Sequence, residues 1–119
     1  MKQGEIWLIN LDPTIGAEIT KTRPAVIVND DGLGKLPLRI IVPITEWKER
    51  YAAAPWMTRI EPKDNSGLAK ISAADSFQVR SVSEKRFVRK PGEINSDDLN
   101  SIQRGLAQVL SLEISRSKP

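Results

Sequence analysis

The sequence predicts a small, mainly β fold of the barrel type that is closed by one amphipathic helix. Short apolar runs rich in β-branched residues follow one another through the first two thirds of the chain. The links between these runs contain Pro, Gly and Asp and are too short for the crossover helices of a parallel sheet. Because 119 residues is the size of one domain, we expect a single domain over residues 1–119.

Each predicted strand ends at a recognisable turn signal. The predicted strands are residues 5–11, 24–29, 38–44, 56–61, 69–72 and 77–82. The first run stops at Asp12-Pro13, the second at an acidic stretch that contains Gly32 and Gly34, and the fourth at residues 62–67. Residues 45–51 are charged and aromatic, and they predict one or two helical turns.

The C-terminal segment has helical spacing. Its apolar residues recur with a period near four, at Leu99, Ile102, Leu106, Val109 and Leu110. Ser96 is a suitable N-cap, and Asp97 and Asp98 stand where the helix dipole favours negative charge. We therefore interpret the two aspartates as a helix start and not as a metal site. Arg116 and Lys118 lie beyond the expected end of the helix, where we expect fraying.

The composition excludes several kinds of chemistry. The chain has no Cys, so a disulfide framework, a thiolate nucleophile and a thiolate zinc site are all excluded, and a cytoplasmic protein is expected. It also has no His, which excludes acid–base catalysis by two imidazoles. No apolar run approaches the ~18 residues of a membrane span. The net charge of +3 permits a polyanionic partner without requiring one.

The link between the first two predicted strands brings a carboxylate, a lysine and an arginine together. Pro24 biases Arg23 towards an extended backbone, so the Arg23 guanidinium should enter the second strand in a fixed direction and suit a phosphate. Pro43 places Thr45 at the rim of the third strand, beside the same groove. The alternative is that Arg23 pairs with Glu18 and that Thr45 caps the short helix.

The chain resembles the MazF/PemK family of toxin endoribonucleases along nearly its whole length. No single motif is specific, but their order and spacing together are. The motifs are Gly4-Glu5-Ile6-Trp7, Leu11-Asp12-Pro13, Gly16-Ala17-Glu18, Lys21-x-Arg23-Pro24-Ala25-Val26-Ile27-Val28, Val42-Pro43-Ile44-Thr45, Ser66-Gly67-Leu68 and Gln78-Val79-Arg80-Ser81.

The resemblance implies an SH3-like or plasmid-toxin antiparallel barrel and an mRNA interferase. Such a toxin cleaves single-stranded RNA at short sequence motifs without a metal or another cofactor, and leaves a 2′,3′-cyclic phosphate and a 5′-hydroxyl. It also implies a homodimer in the cytoplasm and a cognate antitoxin with an acidic disordered segment, through which alone the toxin would reach a DNA operator. Growth inhibition is the expected result.

Within this resemblance, the family pattern marks Arg23 and Thr45 as catalytic, and Glu18 lies beside them as the candidate base. Arginine resists deprotonation, so Arg23 suits charge stabilisation better than proton removal. Some relatives carry a histidine and an acidic residue where this chain has Ala17 and Phe77. A mechanism that needs those two groups is not available here.

RNA-binding residues are predicted in the same regions. Lys21 is expected to contact phosphate, and Gln78 and Arg80 are candidates from the Gln-x-Arg segment, with a structural role for Arg80 equally open. Trp7 is expected in the core, whereas Trp47, Trp56 and Phe77 are compatible with core, dimer contact or base platform. The basic run at residues 84–90 is interpreted as a solvated face.

Two other functions remain open. The same barrel can carry a toxin that poisons a protein such as DNA gyrase, since fold does not fix function. A nucleic-acid-binding regulator without catalysis is the other alternative, and the Ala17 and Phe77 departures are what favour it.

Overall fold

A computed structural model describes residues 1–33, 35–62 and 65–113 of the chain. The predicted fraying around Arg116 and Lys118 lies outside these residues, as do Gly34 and the centre of the predicted turn at residues 62–67.

Among the described residues the structure has seven strands and one α-helix. The strands are β1 (Glu5–Asn10), β2 (Thr22–Ile27), β3 (Leu38–Glu46), β4 (Met57–Ile60), β5 (Ser72–Asp75), β6 (Arg80–Ser83) and β7 (Phe87–Glu93). The helix α1 is Ser96–Val109. Single turns of 3-10 helix occur at Asp31–Leu33, Glu49–Ala53, Ser76–Gln78 and Glu84–Arg86.

The strands form one antiparallel sheet in the order β4-β5-β3-β2-β1-β7, and β6 pairs with β3. The long strand β3 has β2 on one edge; its other edge pairs first with β6, through residues 38–41, and then with β5, through residues 44–46. Among the described residues no pairing joins β4 to β7, so the sheet is barrel-like without closing. The predicted fold class, mainly β with a C-terminal amphipathic helix, is confirmed.

The core consists of two clusters because the central strands are buried on both faces. Alternate residues of β2 face opposite sides: Val26 belongs to the cluster under α1, and Ala25 and Ile27 belong to the other. This explains why the sequence of β2 is continuously apolar instead of alternating. Ile102 anchors α1 on the first cluster and is fully buried.

Strand β7 was not predicted, because its sequence is dominated by exposed charge. It pairs with β1 at the edge of the sheet, where Pro91 is tolerated. The interpretation of residues 84–90 as a solvated face is correct for Val88, Arg89 and Lys90, which are exposed, but their backbone is in the sheet. Register shifts between β1 and β7 further obscure the alternation.

Several boundaries differ from the predicted ones. Strands β5 and β6 begin three residues later than expected, at Ser72 and Arg80. Strand β3 continues through Glu46, so the short helix begins only at Glu49. The cap of α1 is Asn95 and not Ser96, since Asn95 Oδ1 accepts the Asp98 N–H at 2.8 Å.

Candidate active site

The loop at residues 11–21 joins β1 to β2 and is closed by its own backbone. The Leu11 N–H donates to the Lys21 carbonyl at 2.9 Å, and Asp12 Oδ1 accepts the Lys21 N–H at 3.1 Å. Lys21 adopts a left-handed backbone with φ of 68°, which turns the chain into β2. The side chain of Lys21 is exposed at this corner, two residues before Arg23.

Arg23 and Thr45 are brought together by the register of two neighbouring strands. Ala25 pairs with Pro43, and two further residues along each antiparallel strand set Arg23 opposite Thr45. Both line one depression of about 210 Å³, which we call the arginine cleft. The other residues of the arginine cleft are Pro24, Ile44, Glu46, Leu68, Ala69, Lys70 and Ser72.

The Arg23 guanidinium is available for a ligand. Its Nε donates to the Thr20 carbonyl at 3.3 Å, which orients the group, and neither terminal nitrogen has a hydrogen-bond partner among the described residues. Across the described ranges no carboxylate lies within ion-pair distance of Arg23, so the alternative pairing with Glu18 is not formed. The alternative role of Thr45 as a helix cap is also wrong, because Thr45 lies inside β3 and Lys48 precedes the short helix.

Glu46 and Lys70 were not predicted to take part in this site. Glu46 follows Thr45 on β3, and its Oε2 lies 3.9 Å from Lys70 Nζ, with both side chains largely exposed. An exposed pair at this distance is weak, so both groups can turn to a ligand. The available signal was the Pro43-Ile44-Thr45 run, because β3 continues two residues beyond the predicted end at residue 44.

Glu18 lies in a second depression, of about 510 Å³, which we call the glutamate cleft. Its other lining residues are Leu11, Ala17, Ile19, Pro43, Phe77, Gln78, Val79 and Arg80. One carboxylate oxygen, Oε1, accepts the Ile15 N–H at 2.6 Å. Pro43 and Thr45 share one face of β3 and stand about 7 Å apart, so the two clefts adjoin at the end of this strand.

Gln78 and Arg80, predicted to bind RNA, contact the loop of residues 11–21. Gln78 Oε1 accepts the Ile19 N–H at 2.6 Å, and its Nε2 donates to the Ala17 carbonyl at 3.3 Å. Arg80 Nη1 donates to the Leu11 carbonyl at 3.2 Å. Gln78 therefore holds the backbone on both sides of Glu18. These bonds favour the structural alternative for Arg80.

Arg86, which was not predicted, fixes the start of the same loop. Its Nη1 donates to the carbonyls of Asn10 and Asp12. The three side chains Gln78, Arg80 and Arg86 thus hold the loop from the segment that contains β6. The sequence could not indicate these contacts, because each partner is about 60 to 76 positions away along the chain.

Asp75 forms a hydrogen bond with the side chain of Gln78, a contact that was not predicted from the sequence. The residue is 7% exposed; its Oδ1 accepts the Phe77 N–H at 3.0 Å, and its Oδ2 accepts from Gln78 Nε2 at 3.4 Å. Burial raises the pKa of Asp75, against the opposing effect of the hydrogen bonds from Phe77 and Gln78. Because Oδ2 can only accept when Asp75 is ionised, it determines which end of the Gln78 amide faces the loop.

The aromatic residues form three separate pairs. Trp7 packs edge-on against Phe87, with ring centroids 5.5 Å apart, beside the second core cluster, in agreement with the predicted core position. Trp47 contacts Tyr51 at 5.9 Å. Trp56 packs against Phe77 at 5.6 Å, and Phe77 reaches the glutamate cleft.

The sequence matches a known protein family over most of its length. Residues 2–110 match the family described as PemK-like, MazF-like toxin of type II toxin-antitoxin system. The chain belongs to this family. The resemblance inferred from the MazF/PemK motifs is therefore confirmed.

Relatives and solved structures agree over almost the full length. The chain is 29% identical over 118 residues to Endoribonuclease MazF9 of Mycobacterium tuberculosis, covering 94% of this chain and 98% of the relative. It is 28% identical over 105 residues to Endoribonuclease PemK of Escherichia coli, covering 86% and 79%. Crystalline MazF from Deinococcus radiodurans has a TM-score of 0.75 at 20% identity, covering 94% of this chain and 97% of that one.

A mycobacterial endoribonuclease in complex with its cognate antitoxin has the same fold. Its TM-score is 0.77 at 16% identity, and the match covers 97% of this chain and 99% of that one. At these identities the structures support the MazF/PemK fold alone. Within the described part of the chain, α1 is too short and too polar to cross a membrane, and no other helix is longer.

Proposed function

We propose that this chain is a sequence-specific, metal-independent endoribonuclease that cleaves single-stranded RNA as the toxin of a type II toxin-antitoxin system. The observation that supports this proposal most directly is the arginine cleft, which Arg23 and Thr45 line together. Within the described part of the chain, Arg23 forms no ion pair. A planar guanidinium suits the non-bridging oxygens of a phosphodiester, and a hydroxyl beside it can donate to the same group. Family membership and the names of the two relatives point to the same activity.

The proposed reaction is attack of a ribose 2′-hydroxyl on the adjacent phosphorus. The 2′-oxygen forms a bond to phosphorus while the bond to the 5′-oxygen of the next nucleotide breaks, giving a 2′,3′-cyclic phosphate and a 5′-hydroxyl. Arg23 stabilises the charge that develops on the phosphoryl oxygens, and Thr45 donates a hydrogen bond to one of them or to the nucleophile. Water protonates the leaving oxygen.

A carboxylate is the proposed proton acceptor for the 2′-hydroxyl, since the chain has no His. Glu46 is supported because it lines the arginine cleft together with Arg23 and Thr45. Glu18, the candidate from the sequence, lines the adjoining glutamate cleft. No metal is assigned a role in this mechanism, because Arg23 supplies the positive charge.

The proposed partners are mRNA, a cognate antitoxin and a second copy of the chain, all in the cytoplasm. An antitoxin is supported by the related toxins whose structures contain one, from a mycobacterial species and from Deinococcus radiodurans. We expect its acidic disordered segment to compete with RNA for the arginine cleft, and any DNA operator to be bound through the antitoxin alone. A homodimer would cover the exposed apolar residues Leu33, Leu36, Leu38 and Ile40.

The test is incubation with a long single-stranded RNA in EDTA. We expect cleavage at a few fixed sequences, and a rate at least about 100-fold lower for Arg23→Ala, since removing one donor to a developing oxyanion has an effect of that size. Arg104→Ala is the matched control, because Arg104 is exposed on α1 and contacts Ser101.

Equal cleavage by Arg23→Ala and the wild type would contradict the proposal, as would loss of activity in EDTA. Intact RNA together with inhibited gyrase supercoiling would favour the protein-poison alternative. RNA binding without cleavage would favour the regulator.

A further inference from the structure

Phe77 is an aromatic side chain that the fold holds rigidly and leaves exposed. It lies on the 3-10 turn Ser76–Gln78 and is 66% exposed, although it is one of only six aromatic residues in the chain. Its backbone N–H is bonded to Asp75, and one side of its ring is packed against Trp56 at an angle of 59°. One side of the ring is therefore supported by Trp56, while much of its surface faces solvent.

The exposed ring borders a cavity of suitable size and composition for a nucleobase. The glutamate cleft, at about 510 Å³, lies within the ~300–1,000 Å³ range of small-molecule sites. Its lining combines Phe77 and several apolar residues with Glu18, Gln78 and Arg80. Among the described residues only the Ile15 N–H is bonded to the Glu18 carboxylate, through Oε1, so Oε2 can accept further hydrogen bonds.

We propose that the glutamate cleft is a nucleobase subsite in which one base of the RNA substrate stacks on Phe77. Single-stranded RNA is bound by stacking on aromatic faces and by hydrogen bonds to exposed base edges. The Glu18 carboxylate accepts from the amino or imino donors of the stacked base. Of the four bases uracil fits least well, because its single imino N–H lies between two carbonyl oxygens. Those oxygens would face the Glu18 carboxylate and repel it.

The position of the glutamate cleft indicates which nucleotide along the RNA places its base there. Pro43 of the glutamate cleft and Thr45 of the arginine cleft lie on one face of β3, about 7 Å apart. Consecutive nucleotides of an extended strand are separated by a similar distance, so the stacked base adjoins the scissile phosphate. This inference rests on the proposed ribonuclease function, since it assigns a place to one base of the cleaved RNA.

A nucleobase fits this cleft better than an acidic peptide does. The Glu18 carboxylate would repel the carboxylates of an acidic segment, whereas the N–H groups of a base complement it. Arg80 already donates to the Leu11 carbonyl, so the cationic group in this cleft is partly engaged within the protein.

The experiment measures binding separately from cleavage. The probe is an all-deoxy oligonucleotide of the mapped cleavage sequence, which lacks the attacking 2′-hydroxyl, with 2-aminopurine at each position in turn. We expect strong fluorescence quenching at one position next to the scissile bond. Phe77→Leu keeps an apolar side chain against Trp56 but removes the aromatic face, and we expect affinity to fall about 5- to 150-fold. Phe77→Trp should retain both affinity and quenching.

Val88→Ala is the control, since Val88 is 61% exposed on β7 and lies outside both clefts. Circular dichroism and thermal unfolding verify that each variant is folded. If Phe77→Leu binds and quenches like the wild type while the wild type cleaves RNA, the subsite is refuted and the proposed function stands. A wild type that neither binds the probe nor cleaves RNA refutes both.

Discussion

At the scale of single residues, two carboxylates compete for the role of proton acceptor. Glu46 lies in the arginine cleft with Arg23 and Thr45, and its exposed contact to Lys70 at 3.9 Å leaves it free to turn. Glu18 lies in the glutamate cleft, with Oε1 bonded to the Ile15 N–H. A general base must come within hydrogen-bond reach of the proton that it removes, so position favours Glu46.

We therefore expect Glu46→Gln and Glu18→Gln to change different kinetic constants. Loss of a general base lowers the rate of the chemical step by about 10²- to 10⁴-fold, so Glu46→Gln should lower kcat with little change in KM. Glu18→Gln should mainly raise KM and alter which base is preferred beside the cut. Single-turnover cleavage of a short RNA over a range of concentrations measures both constants.

Glu61→Gln serves as the control, because Glu61 is exposed and contacts Arg59 on β4. The assignment to Glu46 is refuted if Glu18→Gln abolishes the chemical step and Glu46→Gln does not. Glu18 would then be the base, as expected from the sequence.

The sequence could predict those site residues whose local context is sufficient. Pro24 biases the neighbouring Arg23 of β2 towards an extended backbone, and Pro43 similarly drew attention to Thr45. The catalytic roles predicted for both came from the resemblance to the MazF/PemK family. The availability of Arg23, free of Glu18, depends on how the loop folds back, which no local rule gives. Asp75 and Gln78 act on the loop of residues 11–21 across long sequence separations, so their role became apparent only in the folded structure.

At the scale of elements, the loop of residues 11–21 is held by the segment from β5 to β6. Gln78 presents its oxygen to Ile19 and its nitrogen to Ala17 because Asp75 accepts from the same nitrogen. In Asp75→Asn, retaining the bond from the Phe77 N–H would turn the new amide nitrogen towards Gln78. Two donors would then face each other, and the Gln78 amide would have to turn away from the loop.

We expect Asp75→Asn to loosen the loop without unfolding the protein. Loss of one or two net hydrogen bonds corresponds to about 5- to 30-fold more frequent opening. Trypsin reports this opening at the Lys21–Thr22 bond, whereas the Arg23–Pro24 bond resists trypsin. Burial already disfavours the charged form of Asp75, so the neutral amide should remain tolerated in the fold.

Two further variants, a rescue and a control, test this prediction. Adding Gln78→Glu to Asp75→Asn supplies an acceptor for both the new amide and the Ile19 N–H, and should restore protection in part. Asp97→Asn is the control, since Asp97 is exposed in the first turn of α1. Unchanged proteolysis in Asp75→Asn would show that Asp75 does not hold Gln78.

The edge pair β1–β7 gives a prediction about pH. Partial burial raises the pKa of Glu5, but hydrogen bonds from the Trp7 indole, the Lys2 N–H and the Lys90 ammonium outweigh it and lower the pKa from 4.5 to about 2. A depressed carboxyl pKa contributes stability above the unfolded value, and this contribution disappears as the pH falls from about 4.5 to about 2.

Glu5→Gln should therefore lower the free energy of unfolding at pH 7, with a difference from wild type that shrinks between pH 5 and pH 2. Urea unfolding at several pH values measures it. Glu93→Gln is the control, because Glu93 is more exposed and lies 3.9 Å from the same Lys90. A difference that stays constant with pH would contradict the role of the Glu5 charge.

The sequence predicted elements well where one local signal dominates. Strand β2 contains a continuous apolar run and helix α1 has apolar residues at regular helical spacing, so both were identified with small boundary errors. Strand β7 failed because an edge strand with one solvated face has a charged sequence and a proline. Its place in the sheet is determined by pairing with β1, a contact between the two ends of the chain.

At the scale of the whole molecule, a net charge of +3 is too small to bind RNA by itself, so the position of each basic residue matters. Lys21 lies at the loop corner two residues before Arg23, whereas Lys85 is exposed in the basic run on the 3-10 turn Glu84–Arg86. Only the first is predicted to neutralise a phosphate of bound RNA.

Lys21→Ala should therefore weaken binding of a non-cleavable single strand about equally for all sequences and reduce the slope of log K against log salt by about 0.7. Phosphate contacts carry no base information, so the cleavage sequence should not change. Lys85→Ala should leave both slope and affinity as in the wild type. Fluorescence anisotropy between roughly 50 and 300 mM salt, where counterion release dominates the salt dependence, gives the slopes. Suppose instead that Lys21→Ala keeps the wild-type slope and Lys85→Ala reduces it. The RNA phosphates would then bind along the outer face near β7 and not along the two clefts.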